Sequence, residues 1–295
     1  MKSVKFLFIT SIIIFFSWNV EAQVSSDSIM VQIETNDGNK FFGNIAHEDD
    51  EKLTLKVEGL GDITILKSNI RSRNVIESSR IVDGKVWFNN PQSTRYFWSP
   101  NGYGLKQGEG YYQNIWVMWN QFAYGLTDHF SIGGGIIPLF LFGGAPTPVF
   151  FTPKFSIPVE KNKLNLGAGA LIGTVLGESD TGFGIVYGIS TFGSPDQNIS
   201  LGLGYGFAGG EWASSPMLNL GAMFRLSPSW YFISENYYIG FEGGSGGVIS
   251  AGARWIIKKA ALDFGLFSPV GSDIGEFIAL PWLGFTIPFG NVDEY

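Results

Sequence analysis

Large and small side chains alternate along much of the second half of the chain. In 199–207 the residues Ile199, Leu201, Leu203, Tyr205 and Phe207 alternate with Ser200, Gly202, Gly204 and Gly206. A strand there has one apolar face and one nearly bare face. The stretch 218–226 repeats the pattern, with Asn219, Gly221, Met223 and Arg225 on the second face, and 164–176 and 249–257 read the same way. A period of two predicts strands. Apolar positions alternating with glycine and polar ones are what a closed barrel in lipid requires, because its lipid-facing and lumen-facing residues alternate.

Segments of this texture fall near 94–98, 112–124, 130–141, 149–159, 164–176, 182–192, 199–208, 217–226, 231–241, 248–257, 261–267 and 277–289. The reading is an all-β chain whose main domain is an antiparallel transmembrane β-barrel of about 12 strands. Connections at 127–128, 160–163, 194–198, 227–229 and 258–260 are short and polar. Those at 99–110, 142–148, 208–216, 241–247 and 268–276 are longer and richer in Gly and Pro. Short turns at one end and long loops at the other are the asymmetry of outer-membrane barrels, with the turns on the periplasmic side. An even strand number then puts the C-terminus, Tyr295, and whatever precedes the barrel on that side. Tyr111, Tyr112, Tyr124, Trp212, Trp230, Tyr231 and Trp255 stand near predicted strand ends, where amphipathic rings favour the membrane interface. Pro281 and Pro288 in the last strand cannot donate ladder hydrogen bonds and are tolerable only near its ends; Phe289 or Tyr295 is the candidate closing aromatic.

The part before the barrel is different. From 28 to 77 the chain is polar, with strand-like runs at 30–34, 40–46, 53–58, 62–66 and 74–76. Asp37-Gly38 marks a hairpin turn, 47–51 an acidic loop, and Gly59-Leu60-Gly61 a tight connection. Five short strands predict a small SH3-like barrel. The order TNDGNKFFGNI, LTLKV, GDITIL and SNIRSRNVI resembles an Sm-like domain, in which a strand with a central glycine is strongly bent. That resemblance implies RNA binding, but the acidic loop and an exported location speak against it. The domain expectation is a signal peptide at 1–22, a small periplasmic β domain at 23–79, a linker at 80–93 and the barrel at 94–295.

The signal-peptide reading rests on Lys2 and Lys5 ahead of an apolar stretch from Phe6 to Trp18, followed by Val20-Glu21-Ala22. The stretch is shorter than the ~20 residues a helix needs to span hydrocarbon. The chain has no cysteine, which removes lipid anchoring at a cysteine, disulfides and thiolate metal sites. Its 40 glycines and 15% charged residues alongside 45% apolar ones suit a barrel better than a soluble enzyme. With 19 basic against 26 acidic residues, a nucleic-acid partner is not expected. A soluble β-sandwich packing the same aromatics is the alternative fold.

The segments TRYFWSPNGYGLKQGEGYYQN and NQFAYGLTDHFSIGGGI resemble outer-membrane barrels of Bacteroidetes-type bacteria. The resemblance covers about two thirds of the chain, implies outer-membrane lipid and the barrel-assembly machinery as partners, and brings no activity with it.

The best candidate constellation is ionic. Arg225, Glu235, Arg254 and Asp263 fall on four consecutive predicted strands, each near a short turn. A lipid-facing arginine costs roughly 2–4 kcal/mol at the bilayer midplane, so both arginines are expected inside. Glu235 joins them if its strand carries a bulge or if Ile233 and Tyr237 also face inward. The functional reading is a selectivity ring or gate; the structural reading is a charge network that ties strands together and fills the barrel. Lys154 is a further candidate on another strand. Some twelve-stranded outer-membrane barrels are phospholipases that use a serine and a histidine, but His47 and His129 sit away from the outer rim, so no enzyme is expected. Glu48 to Glu51 lack the alternating ligands and glycine of a calcium loop. Gly133-Gly134-Gly135 belong in a strand with close neighbours and 243–247 in an exposed loop; no helix follows either to make a phosphate site. No cofactor is expected. The functions that remain are, in order, a narrow passive pore or structural barrel with a periplasmic adapter domain that docks a periplasmic protein or covers the lumen, a cell-surface interaction protein using loops such as 99–110 and 208–216, and last an outer-membrane lipid-active enzyme.

Overall fold

The structure is a computed structural model and describes residues 30–76, 81–82, 85–87, 89–138, 146–178, 182–241, 244–257, 259–271 and 278–291. The signal peptide expected at 1–22 and the terminal Tyr295 lie outside these residues. The chain divides into two compact units, Met1–Ser79 and Arg80–Tyr295.

The first unit is a five-stranded antiparallel sheet of β1 (Met30–Thr35), β2 (Lys40–Glu48), β3 (Lys52–Val57), β4 (Gly61–Leu66) and β5 (Ile70–Val75), in the spatial order β4-β3-β2-β1-β5. Alternation puts Val31, Ile33, Leu53, Leu55 and Ile65 into one buried cluster. The turn after β1 has Gly38 at φ 85°, a left-handed conformation that glycine adopts without strain. Strand β2 serves both β1 and β3, with a register shift between Ile45 and His47. Its Gly43 has no room for a side chain, since a Cβ there would stand 2.5 Å from the Lys56 carbonyl oxygen. The acidic stretch after β2 is tied up locally: Glu48 pairs with Lys67 at 3.0 Å and Arg73 at 2.9 Å, and the Asp49 carboxylate caps the Glu51 and Lys52 amides.

In the second unit, twelve strands among the described residues close into an antiparallel barrel. They are β6 (Glu109–Ile115), β7 (Trp119–Gly125), β8 (Phe130–Ile136), β9 (Thr147–Phe151, continued by Lys154–Glu160), β10 (Leu164–Leu176), β11 (Phe183–Gly193), β12 (Gln197–Ala208), β13 (Met217–Ser227), β14 (Trp230–Phe241), β15 (Gly244–Ile257), β16 (Ala260–Gly271) and β17 (Leu280–Gly290). Each pairs with its sequence neighbour, and β17 returns to β6 from Gly284↔Ile115 to Gly290↔Glu109. The ladder therefore has no open edge.

The expected alternation is realised in the wall. Leu201 is 57% exposed and Leu220 50%, whereas Ser200 between its neighbours is fully buried. An outer surface of this kind, with Phe155, Ile157, Leu266 and Leu283 also exposed, is costly in water and natural against hydrocarbon. Trp230 and Trp255 stack outside at 5.6 Å near one rim, and Tyr124 stacks on Phe289. Tyr111 and Tyr231 depart from the expected interface belt: both are buried and turned inward. Pro281 and Pro288 sit close to the two ends of β17, and its registers with both neighbours run without a shift.

The strand count is right through two corrections. The predicted strand 112–124 is two strands, folded back at Trp116 and Val117, which take φ of 52° and 65°. This turn lacks the usual glycine. Side chains hold it instead: Asn114 accepts from the Val117 amide, Asn120 donates to the Val117 and Met118 carbonyls, and the Trp116 amide and indole donate to Leu283 and Pro281 of β17. The predicted strand 94–98 is not a strand of the wall. It belongs to an irregular segment, 89–106, that runs inside the barrel. Residues 89–93, expected in a linker, and the loop 99–110, expected outside the cell, lie there too, apart from its last residues, which open β6. Gly244, Gly246 and Gly247 are likewise not in an exposed loop but in β15, opposite Phe241, Ile239 and Tyr238 of β14. Gly133, Gly134 and Gly135 lie in β8 as expected, where a Cβ on Gly135 would meet the Phe150 ring at 2.2 Å.

Candidate functional site in the barrel lumen

The internal segment is bonded to the wall on nearly every side. Tyr96 and Phe97 are fully buried. The Tyr96 hydroxyl bonds Asn198 and Ser200 on β12, and its ring lies on β13, where a Cβ on Gly221 would stand 2.1 Å from it. Phe97 packs against Phe267 of β16 and Trp282 of β17, at 5.6 and 5.7 Å between ring centroids. Trp98 meets Trp119 of β7 edge to face. The Gly102 amide donates to Thr191 of β11, the Tyr103 hydroxyl to the Gly193 carbonyl, and Lys154 of β9 to the Tyr103 carbonyl. Gln113 of β6 donates to the Phe97 carbonyl, and Thr286 of β17 to the Gln92 side chain. Main-chain groups with no ladder of their own are thus satisfied by side chains of the wall.

Besides Lys154, two of the charged residues singled out from the sequence hold this segment. Glu235, on β14, accepts the amides of Phe97 (2.8 Å), Trp98 (2.9 Å) and Ser99 (3.1 Å), and the Tyr237 hydroxyl. Ile233 and Tyr237 share its inward face and no shift in the β14–β13 register occurs beside it. Arg254 on β15 pairs with Asp263 on β16 through two bonds of 2.7 and 2.9 Å. Its guanidinium also donates to the carbonyls of Gln92 (2.7 Å) and Tyr96 (2.6 Å). Arg254, Asp263 and Glu235 are all essentially without solvent exposure.

Arg225 is also buried but does not join them. It pairs with Asp196 in the neighbouring turn at 3.0 Å, donates to Pro228, and lies between the rings of Trp87 and Tyr231. The four residues are therefore three anchor points: one at the rim and two on the internal segment. Two partners escaped the sequence reading. Asp196 was assigned to a solvated turn, and Arg95 to a wall strand. Arg95 is buried on the segment, where its Nε donates to the Tyr111 hydroxyl and its Nη1 to the Trp98 carbonyl.

On the side of the segment away from the short turns is a partly open cavity lined mostly by apolar side chains. Its floor is Arg95, Trp98, Ser99 and Pro100; its walls include Leu171, Ile185, Tyr187, Ile189, Met217 and Tyr237. His129 is at the short-turn rim with its Nδ1 3.2 Å from the Ser156 carbonyl, and His47 is in the other unit beside Asp49. Among the described residues no three His, Asp or Glu side chains gather as a metal site.

Fold and lumen together define a class: a closed β-barrel with a lipid-type exterior whose interior is occupied by a segment of its own chain. No family model matches the sequence, and no curated protein does. Among solved structures, the KdgM porin is similar with a TM-score of 0.46 at 8% identity, over 61% of this chain and 99% of that one. A loop L8 deletion mutant of OmpT, an outer membrane protein of Vibrio cholerae, is similar with a TM-score of 0.34 at 9% identity, over 89% of this chain and 97% of that one.

Proposed function

We propose that the chain is an outer-membrane barrel held shut by its own residues 89–106, with the small domain on the periplasmic side as a docking module for a periplasmic protein. The observation that carries the reading is the bonding of Phe97, Trp98 and Ser99 to Glu235, and of Gln92 and Tyr96 to Arg254, across the lumen. An open passive pore needs a continuous aqueous path; here aromatic side chains and a satisfied backbone fill the lower bore. Closure is thus a property of the barrel itself and needs no cover from the small domain. The chain works as a barrel that must be opened. Outer-membrane lipid and the barrel-assembly machinery are its partners in biogenesis.

The test is single-channel conductance in planar bilayers of the full chain, of a deletion of residues 23–79, and of a Glu235→Ala/Arg254→Ala double variant. Each is first checked for a folded barrel by heat-modifiable gel mobility. The first two are expected to be silent and the third to conduct. Steady conductance of the folded full chain, or silence of the double variant, overturns the proposal.

A further inference from the structure

The cavity above the internal segment carries a chemistry of its own. Its walls are mostly aliphatic and aromatic, as in sites for small organic ligands. At its floor lies one guanidinium, Arg95, itself buried to more than nine-tenths. Two of its nitrogens are spent on Tyr111 and Trp98, while Nη2 donates to no protein group among the described residues. Among the described residues no carboxylate forms an ion pair with it. The oxygens of Glu235 are committed to the Phe97, Trp98 and Ser99 amides and to Tyr237. Lys154, also buried, donates to the neutral Tyr103 carbonyl and brings no negative charge to the chamber. Buried charges are ordinarily paired. This one is aimed into an apolar chamber with a free donor.

We propose that the chamber binds a small amphiphilic carboxylate, its acid group on Arg95 and its apolar body between Trp98, Ile185, Ile189 and Met217. A carboxylate accepts from guanidinium with short, charge-assisted bonds. The apolar walls disfavour inorganic phosphate or a sugar, whose many polar groups would go unpaired there. Binding rests on the chamber alone; that the ligand is also the cargo rests on the closed-barrel reading.

The experiment uses the full chain in lipid nanodiscs, with 3-phenylpropanoate as probe and 3-phenylpropanol as its uncharged counterpart, measured by isothermal titration calorimetry against empty discs. Saturable binding of the carboxylate with one site per chain is expected, at least tenfold tighter than the alcohol. Ile185→Trp fills the chamber without touching the bonds that hold the segment, and should abolish it. Arg95→Met should remove the preference for the acid and leave the alcohol unchanged. No saturable binding, equal affinity for acid and alcohol in the unaltered chain, or undiminished binding in folded Ile185→Trp overturns the proposal. Because no flux is measured, these outcomes are separate from those of the conductance test.

Discussion

The carboxylate of Glu235 accepts the amide hydrogen of Phe97 at 2.8 Å across 138 residues of chain. Together with the Trp98 and Ser99 amides, this makes one barrel-wall side chain the anchor for three consecutive main-chain donors. Hydrogen bonds to a charged acceptor are worth about 1.5–3 kcal/mol each, so this single acid is positioned to decide whether the segment stays in place.

The anchor can be read chemically, because the chain contains no cysteine of its own. A Ser99→Cys variant therefore carries one thiol, at a site 6% exposed. Maleimide labelling in nanodiscs should be slow in that background and at least tenfold faster when Glu235→Ala is added. Equal rates in folded protein would show that Glu235 does not retain the segment.

Removing one member of the Arg254–Asp263 pair should cost more than removing both. Asp263→Ala leaves a guanidinium buried without its counter-charge, a loss of about 3–5 kcal/mol. An Arg254→Met/Asp263→Leu double variant removes the charges together and should lose less, as measured by urea unfolding from lipid. Because Arg254 also holds the Gln92 and Tyr96 carbonyls, the double variant should still free the segment. A double variant less stable than Asp263→Ala contradicts this account.

Acid should weaken the small domain through Glu48. Hydrogen bonds from Lys67 and then Arg73 hold its carboxyl below the ordinary value of 4.5. A group whose folded pKa is lowered lends stability above its unfolded value and loses it as pH falls through the folded one. The small domain should therefore resist urea equally from pH 8 to 6 and less at pH 3, followed by the methyl resonances of Val31, Ile33, Leu53 and Leu55. Glu48→Gln should flatten the part of the profile below pH 5; an unchanged profile would remove Glu48 from the account.

The sequence alone determined the character of the wall. Facing alternates with a period of two, so Ile199 to Phe207 could be assigned to lipid and lumen without any partner strand in view, and the cost of an arginine in hydrocarbon sent Arg225 and Arg254 inward. In the small domain, Asp37-Gly38 and Gly59-Leu60-Gly61 marked the turns because glycine reports locally on backbone that other residues avoid. The return at Trp116 and Val117 had no such mark. It is stabilised by Leu283 and Pro281, which are distant in sequence, and only the closing of β17 onto β6 brings them there.

Tertiary structure decided what fills the barrel. Residues 94–98 carry the aromatics of a strand, and nothing local distinguishes a segment that joins the wall from one that threads the lumen. The difference lies in the space that Gly221 and its neighbours leave, and in the acceptors and donors that Glu235 and Arg254 present toward it. Sequence put Arg254 on the inner face and left Glu235 there only on condition of a bulge or of Ile233 and Tyr237 facing inward too. It could not show that they bind main chain rather than each other, because no local signal marks 89–106 as lying in the lumen that the other strands enclose.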